Sequence, residues 1–276
     1  MVPNSKMITE DFIKKHLNNL IDCVNTASVE IMKIYRSDNF GQEEKSDGSP
    51  LTMADTKSNE IIMNALKKIS VDIPIISEEN FKEDNLKNLS KTYWLVDPLD
   101  GTKEFINKTD EFTVNIALIE NKRPILGIVG APVSRKIWSG SVFDNNQSES
   151  TSSKKIRIVM SKSHKGKNDN AFLEFLESKG FGYEVIEKGS SLKLCSLADN
   201  HADIYPRFGP TSEWDIAAAH AVLSSYGGSV IKIKENAELD YAKESSILNP
   251  YFIAFRNNAI KSEFLPHLRD FFKKLV

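Results

Sequence analysis

The stretch Trp94-Leu95-Val96-Asp97-Pro98-Leu99-Asp100-Gly101-Thr102-Lys103-Glu104-Phe105 decides how the rest of the chain is read. An apolar run, Tyr93 to Val96, has the length and continuity of a short buried strand. It stops at two aspartates separated by Pro98 and Leu99, and Gly101-Thr102 follows. Two carboxylates this close repel unless a cation lies between them or one takes up a proton. A strand that delivers both to one place suits an oxygen-rich magnesium site. Asp-Pro and Asp-Gly are also ordinary turn formers, so on this stretch alone a turn and a metal site both remain open.

Toward the N-terminus, Ile73-Pro74-Ile75-Ile76 reads as a short strand that ends at Ser77-Glu78-Glu79. Before it, Leu51-Thr52-Met53-Ala54-Asp55 leads into a helix with Ile61, Ile62, Ala65, Leu66 and Ile69 on its apolar face. Asp55 thus sits at a helix entrance, where a carboxylate caps backbone N–H groups. The stretch Gly41 to Pro50 has no apolar periodicity and is expected to be a mobile exposed loop. Still earlier, Phe12, Leu17, Leu20, Ile21, Val24, Ile31, Met32 and Tyr35 predict one long amphipathic helix with Thr9 as its N-cap.

Toward the C-terminus, Phe112, Val114, Ile116 and Leu118 alternate as in a half-buried strand, and Ile125 to Val129 and Lys136 to Val142 complete an antiparallel meander. Asp144 to Lys155 is polar and low in complexity, the expected loop at a boundary between subdomains 1–150 and 151–276 of one catalytic unit. Beyond it strands alternate with helices: Ile156 to Met160, Ala171 to Ser178, Tyr183 to Ile186, Leu192 to Ala198, Ala202 to Tyr205, Ile216 to Tyr226 and Ser229 to Ile233. A last strand, Tyr251 to Phe255, and a closing helix, Phe264 to Leu275 with Pro266 in its first turn, finish an α/β layer.

The 276 residues suffice for a large core, as one domain or two, and a formal charge of −2 offers no global field for nucleic acid or anionic membrane. An anionic substrate must therefore meet local positive groups or bound metal. No apolar run approaches the roughly 20 residues that span a bilayer, and Met1 to Lys15 lacks a signal-peptide core. The expectation is a cytoplasmic protein, with association to the inner membrane surface left open. Cys23 and Cys195 fall in helical patterns without a Cys/His cluster, which argues for reduced packing residues and against zinc. His16, His201, His220 and His267 suggest only packing or surface roles.

Acidic residues now share an address at element ends: Asp55, Glu78 or Glu79, Asp97, Asp100, and Asp215 after Trp214. Each alone has a capping or turn explanation. If the ends converge, they form an all-oxygen magnesium cage without histidine or cysteine, apt for phosphoryl chemistry.

Ile76-Ser77-Glu78-Glu79, then Asp97-Pro98-Leu99-Asp100-Gly101-Thr102, then Trp214-Asp215 resemble, in order and spacing, the three signature segments of the inositol monophosphatase superfamily. The resemblance covers nearly the whole chain and implies a layered α-β-α-β-α sandwich, an α/β (α+β) fold. It implies a magnesium-dependent phosphatase with two or three ions, inhibited by lithium. Glu78, Asp97, the backbone carbonyl of Leu99, Asp100 and Asp215 would bind metal. Asp55 and Thr102 would orient and deprotonate the attacking water, and the N–H groups of Gly101 and Thr102 would cradle phosphate.

Inositol phosphatases usually show Asn-Phe shortly after the Gly-Thr, whereas this chain reads Gly101-Thr102-Lys103-Glu104-Phe105. That spelling is similar to the bacterial 3'(2'),5'-bisphosphate nucleotidase branch. So are Glu111 to Ile119, Gly189 to Cys195, Ala202 to Thr211, Glu213-Trp214-Asp215 and Asn249-Pro250. The implied substrate is adenosine 3',5'-bisphosphate, cleaved to AMP and phosphate. Lys193 and Arg207 would hold its second phosphate, with Ser190, His164 and Asp215 adding contacts. The rival readings are a broader inositol or sugar monophosphatase and a catalytically weak nucleotide sensor. The expected partner is the small nucleotide alone, without nucleic acid or transmembrane segment, in a monomer or homodimer.

Overall fold

The computed structural model describes residues 7–37, 40–45, 48, 50–87, 89–146, 155–162, 166–243 and 245–275, apart from the side chain of Asn85. The Thr9 hydroxyl accepts from the Phe12 N–H and starts α1 (Glu10–Tyr35), the long amphipathic helix that the apolar spacing predicts. A ribbon of β1 (Glu43–Glu44) against β2 (Pro50–Leu51) precedes α2 (Met53–Ile69). The ribbon falls where a mobile loop is expected; Ser46, Asp47 and Ser49 at its turn lie outside the described residues. Then come β3 (Ile75–Ser77), β4 (Thr92–Asp100), the short α3 (Thr102–Ile106), β5 (Thr113–Glu120), β6 (Arg123–Ala131) and β7 (Lys136–Ser141). They form a sheet in the order β3-β4-β5-β6-β7, parallel only at β3–β4 and otherwise the expected meander.

The second half alternates β8 (Ile156–Ser161), α4 (Lys167–Ser178), β9 (Tyr183–Lys188), α5 (Leu192–Ala198), β10 (Ile204–Arg207) and α6 (Glu213–Ser225). It ends with β11 (Ser229–Lys232), β12 (Ala237–Glu238), β13 (Phe252–Phe255) and α7 (Asn258–Phe272). The sheet order is β12-β11-β13-β10-β8-β9, parallel where β8 meets β9 and β10 and antiparallel elsewhere. Residues 147–154, most of the expected boundary loop, lie outside the described residues.

Alternation along the strands sorts the core into layers. Trp94, Val96, Val114, Ile116 and Leu118 pack with Leu20, Val24, Ile31, Ile62 and Leu66 of α1 and α2. Tyr93, Leu95, Ala117 and Ile119 point the other way, to Leu194 and Leu197 of α5 and Ala217, Ala218 and Val222 of α6. The far side of these two helices meets Tyr205, Phe252 and Ala254 of the second sheet. Ile158, Ile204, Ile253 and Phe255 face outward again, onto Phe172 and Leu176 of α4 and Leu268 and Phe271 of α7. The order helix, sheet, helix, sheet, helix is the sandwich that the resemblance implies. Truncating a buried Leu of these layers to Ala costs about 2–5 kcal/mol.

Two local expectations, for β5 and Pro266, are corrected. β5 is not half-buried: Asn115, Ala117 and Ile119 are as buried as their neighbours because α6 covers that face. Asp55 stands at the helix entrance as expected, as the third residue of α2 in a capping box with Thr52. Pro266 lies inside α7 rather than in its first turn, since the Asn257 side chain accepts from the Ile260 N–H and starts the helix earlier. His220 is a satisfied core group, between the Tyr241 hydroxyl at 2.9 Å and Glu238 at 3.1 Å. Cys23 and Cys195 are free, buried thiols. Among the described residues no helix is long and apolar enough to cross a membrane.

Candidate active site

Residues three apart on a regular strand face opposite ways, so Asp97 and Asp100 should diverge. They do not, because β4 slips against β5 between them: Asp97 lies opposite Asn115 and Asp100 opposite Thr113. Three steps on one strand against two on the other make a bulge at Pro98-Leu99. Both aspartates therefore line one cavity of about 840 Å³. The bend is held by the Ser58 hydroxyl, which donates to the Pro98 carbonyl at 2.7 Å, and by the Leu99 N–H, which donates to Asp97 at 3.1 Å. Gly101 follows with φ of 95°, a left-handed conformation that suits glycine, and a Cβ there would stand 3.1 Å from the Glu111 carbonyl oxygen.

Asp55 and Asp215 are positioned by the same device, the third residue of a capping box. The Thr52 N–H and hydroxyl donate to Asp55 Oδ2 at 2.8 and 2.6 Å, and the Ser212 N–H donates to Asp215 Oδ2 at 2.9 Å. Asp55 Oδ1 accepts the Thr102 hydroxyl at 3.1 Å, so Asp55 meets the cavity only through Thr102, which lines it. Asp100 Oδ2 accepts the Ser191 N–H at 2.7 Å, with longer contacts from Asn115 at 3.4 Å and Thr113 at 3.5 Å. Asp100 and Asp215 thus hold one oxygen fixed to the scaffold and leave the other for the cavity.

Glu78 opens a single helical turn, Glu78–Asn80, directly after β3. There the Lys45 ammonium meets Glu78 at 2.7 Å and Glu79 at 2.8 Å. Lys45 escaped the sequence reading because it sits among Glu43, Glu44 and other polar residues, the look of a solvated loop. Burial opposes its charge, but the two glutamates outweigh that and raise its pKa.

The carboxylates are strained electrostatically. Burial, then the charges of Glu78 and Asp100, pushes Asp97 well above the usual carboxylate range. Burial, then Asp100 and Glu78, does the same to Asp215. Burial lifts Asp100 to about 6, although Lys193 and the Ser191 N–H pull it down, and lifts Glu79 to about 7. Burial also raises Asp55, against the hydrogen bonds from Thr52. Among the described residues no three acidic, histidine or cysteine side chains close tightly around a single point, and Glu78 is paired with Lys45. The donor set still fits a hard divalent ion: Glu78, Asp97, Asp100, Asp215 and the Leu99 carbonyl offer oxygen alone, and buried repelling carboxylates are what such an ion stabilises.

The same cavity also carries cations, Lys193 and Arg207. Lys193 is buried, its ammonium donates to the Ser190 carbonyl at 2.7 Å, and burial lowers its pKa to about 8. Arg207, at the end of β10, donates through Nη2 to the Pro210 carbonyl at 2.8 Å, while its Nε is buried without a partner among the described residues. Ser190 takes a left-handed φ of 41° and its hydroxyl is likewise unpartnered. Gly101 and Thr102 line the same cavity; His164 lies outside the described residues. Ser191 and Asn115 were missed from the sequence. Asn115 donates to the Ser191 hydroxyl at 3.0 Å, and that hydroxyl donates to the Asp215 carbonyl, so Ser191 bridges β4, β5 and α6. Their spelling as a turn serine and a strand asparagine carried no signal for this.

The chain matches the model of the inositol monophosphatase family over residues 15–270. The 3'(2'),5'-bisphosphate nucleotidase CysQ of Salmonella typhimurium is 38% identical over 245 residues, covering 86% of this chain and 98% of the relative. CysQ of Buchnera aphidicola is 40% identical, covering 87% and 94%. Among solved structures, CysQ from Bacteroides thetaiotaomicron, a bacterial member of that family, superposes with a TM-score of 0.75 at 32% identity, covering 87% and 97%. An IMPase of Thermotoga maritima reaches the same TM-score of 0.75 at 20% identity, covering 95% and 100%, a likeness of fold alone. With the three signature segments brought to one cavity, the chain belongs to the inositol monophosphatase family.

Proposed function

We propose that the chain is a magnesium-dependent 3'(2'),5'-bisphosphate nucleotidase that hydrolyses adenosine 3',5'-bisphosphate to AMP and phosphate. One observation carries the reading: a single cavity is lined both by buried carboxylates and by the cations Lys193 and Arg207. A ligand with two phosphates complements both sets of groups, one phosphate at the metal-binding carboxylates for reaction and one at the cations for recognition. A polyol monophosphate would offer the buried Lys193 and Arg207 no second phosphate.

Glu78, Asp97, the Leu99 carbonyl, Asp100 and Asp215 would hold the magnesium, two or three ions in number. Bound magnesium supplies the positive charge that acidifies water and stabilises the leaving oxygen. The chain's own part is orientation and proton handling. The Thr102 hydroxyl, fixed by Asp55, is left with lone pairs that accept a hydrogen bond from the attacking water and direct its oxygen at phosphorus. Asp55, buried and raised in proton affinity, is suited to take up the water's proton through Thr102. The new P–O bond forms from water, the bond to the 3'-oxygen breaks, and that oxygen leaves protonated as the AMP hydroxyl. The reading is tested by phosphate release from the bisphosphate with magnesium and with EDTA; release equal in both, or none in either, overturns it.

A further inference from the structure

Tyr205 stands two residues before Arg207 on β10, so both side chains leave the strand on one face. Both line the cavity. The Tyr205 ring meets Phe252 edge-on at 5.5 Å, and the Lys193 ammonium lies 5.7 Å from its centroid. The residue is 1% exposed, and its hydroxyl has no hydrogen-bond partner among the described residues. Buried tyrosine hydroxyls normally find a partner, and an unpaired one destabilises the fold. A position that wanted only a ring would carry phenylalanine, as the neighbouring position 252 does. Two other unsatisfied polar groups, Arg207 Nε and Ser190 Oγ, belong to residues that line the same cavity. Burial raises the phenol's pKa and keeps it a neutral donor, and the charges that act on it are those of Arg207, Asp100 and Asp215.

We propose that Tyr205 is a specificity-determining residue: its O–H donates to an oxygen of the second, non-reacting phosphate, which Lys193 and Arg207 hold. The inference rests on the bisphosphate nucleotidase reading of the cavity. Lys193 and Arg207 supply charge, and Lys193 as a point charge fixes little geometry. The phenol, locked by its buried ring, adds a donor of one direction to these cations, and no phosphate there leaves it without an acceptor.

Tyr205→Phe removes one oxygen and keeps the ring. The experiment compares kcat/KM for adenosine 3',5'-bisphosphate and adenosine 3'-monophosphate, which share the reacting phosphate and differ in the second, with Arg207→Ala as reference. The wild type should prefer the bisphosphate, and Tyr205→Phe should lose roughly ten- to hundredfold on it, mainly in KM, the scale of one hydrogen bond to a charged group. On the monophosphate the variant should stay within about twofold of wild type, because the missing contact has no counterpart there. It should melt no lower than wild type, since the hydroxyl makes no hydrogen bond among the described residues. An equal loss on both substrates, a retained bisphosphate preference, or a lower melting temperature with that preference kept overturns the role of Tyr205. A wild type that treats both substrates alike overturns the bisphosphate reading itself, and Tyr205's role with it.

Discussion

Replacing Asp100 by asparagine should stabilise the metal-free protein while abolishing its activity. Burial leaves the Asp100 carboxyl half-protonated at about 6 instead of the ordinary 3.8, even with Lys193 and the Ser191 N–H holding it down. Its folded-state proton affinity is raised, so its contribution to stability is complete below about pH 4 and is lost as pH climbs through about 6. At higher pH the ionised group costs the folded state about 3 kcal/mol, at 1.36 kcal/mol per pH unit. Asparagine keeps an acceptor for the Ser191 N–H and removes a charge that also repels Asp97 and Asp215. Allowing for imperfect fit of the amide, a net gain of about 1–3 kcal/mol corresponds to a melting temperature roughly 2–10 °C higher.

Thermal unfolding in EDTA at about pH 5 and about pH 8, repeated with magnesium, resolves these effects. The metal-free wild type should melt lower at the higher pH, and magnesium should restore it there. Asp100→Asn should melt higher than wild type in EDTA at the higher pH, show no such gain at the lower pH, and respond weakly to magnesium. It should release no phosphate. A variant that melts below wild type in EDTA at the higher pH, or a wild type indifferent to magnesium, refutes the reasoning from buried charge.

Three further outcomes follow from particular contacts. A Cβ at Gly127 would stand 2.0 Å from the Ala218 carbonyl oxygen, where α6 lies on β6, so Gly127→Ala should lower stability by about 1–3 kcal/mol or more in urea unfolding; an unchanged midpoint contradicts that packing. Thr102→Ala should reduce phosphate release about 10²–10⁴-fold while keeping the rise in melting temperature with magnesium, because its side chain orients water and is not among the proposed metal ligands; loss of that rise would instead make it part of the metal site. Lithium titrated at fixed magnesium should inhibit phosphate release, and a flat titration contradicts the expected lithium sensitivity.

What was legible in the sequence was what short spacing encodes. The apolar intervals of α1, the strand leading to Asp97 and the alternation of β8 to α6 depend on neighbours a few residues away. The helix starts at Asp55 and Asp215 were legible too; that Thr52-Met53-Ala54-Asp55 and Ser212-Glu213-Trp214-Asp215 spell one capping box twice was seen only in the structure. Lys45 was not legible, because the glutamates that give it meaning lie 33 and 34 positions on. Ser191 reaches Asp100 across 91 positions. The second face of β5 is covered by α6, about a hundred residues later, and nothing in the local alternation records that. Tyr205 looked like strand core, which its ring is; only the surroundings of its oxygen make it more.

The most direct test of the central claim is magnesium-dependent phosphate release measured side by side on adenosine 3',5'-bisphosphate and an inositol monophosphate. A cavity lined by buried carboxylates together with Lys193 and Arg207 should give a clear excess of kcat/KM for the bisphosphate nucleotide, abolished by EDTA. Equal or greater kcat/KM for the inositol phosphate, or tight nucleotide binding without hydrolysis in magnesium, would contradict it.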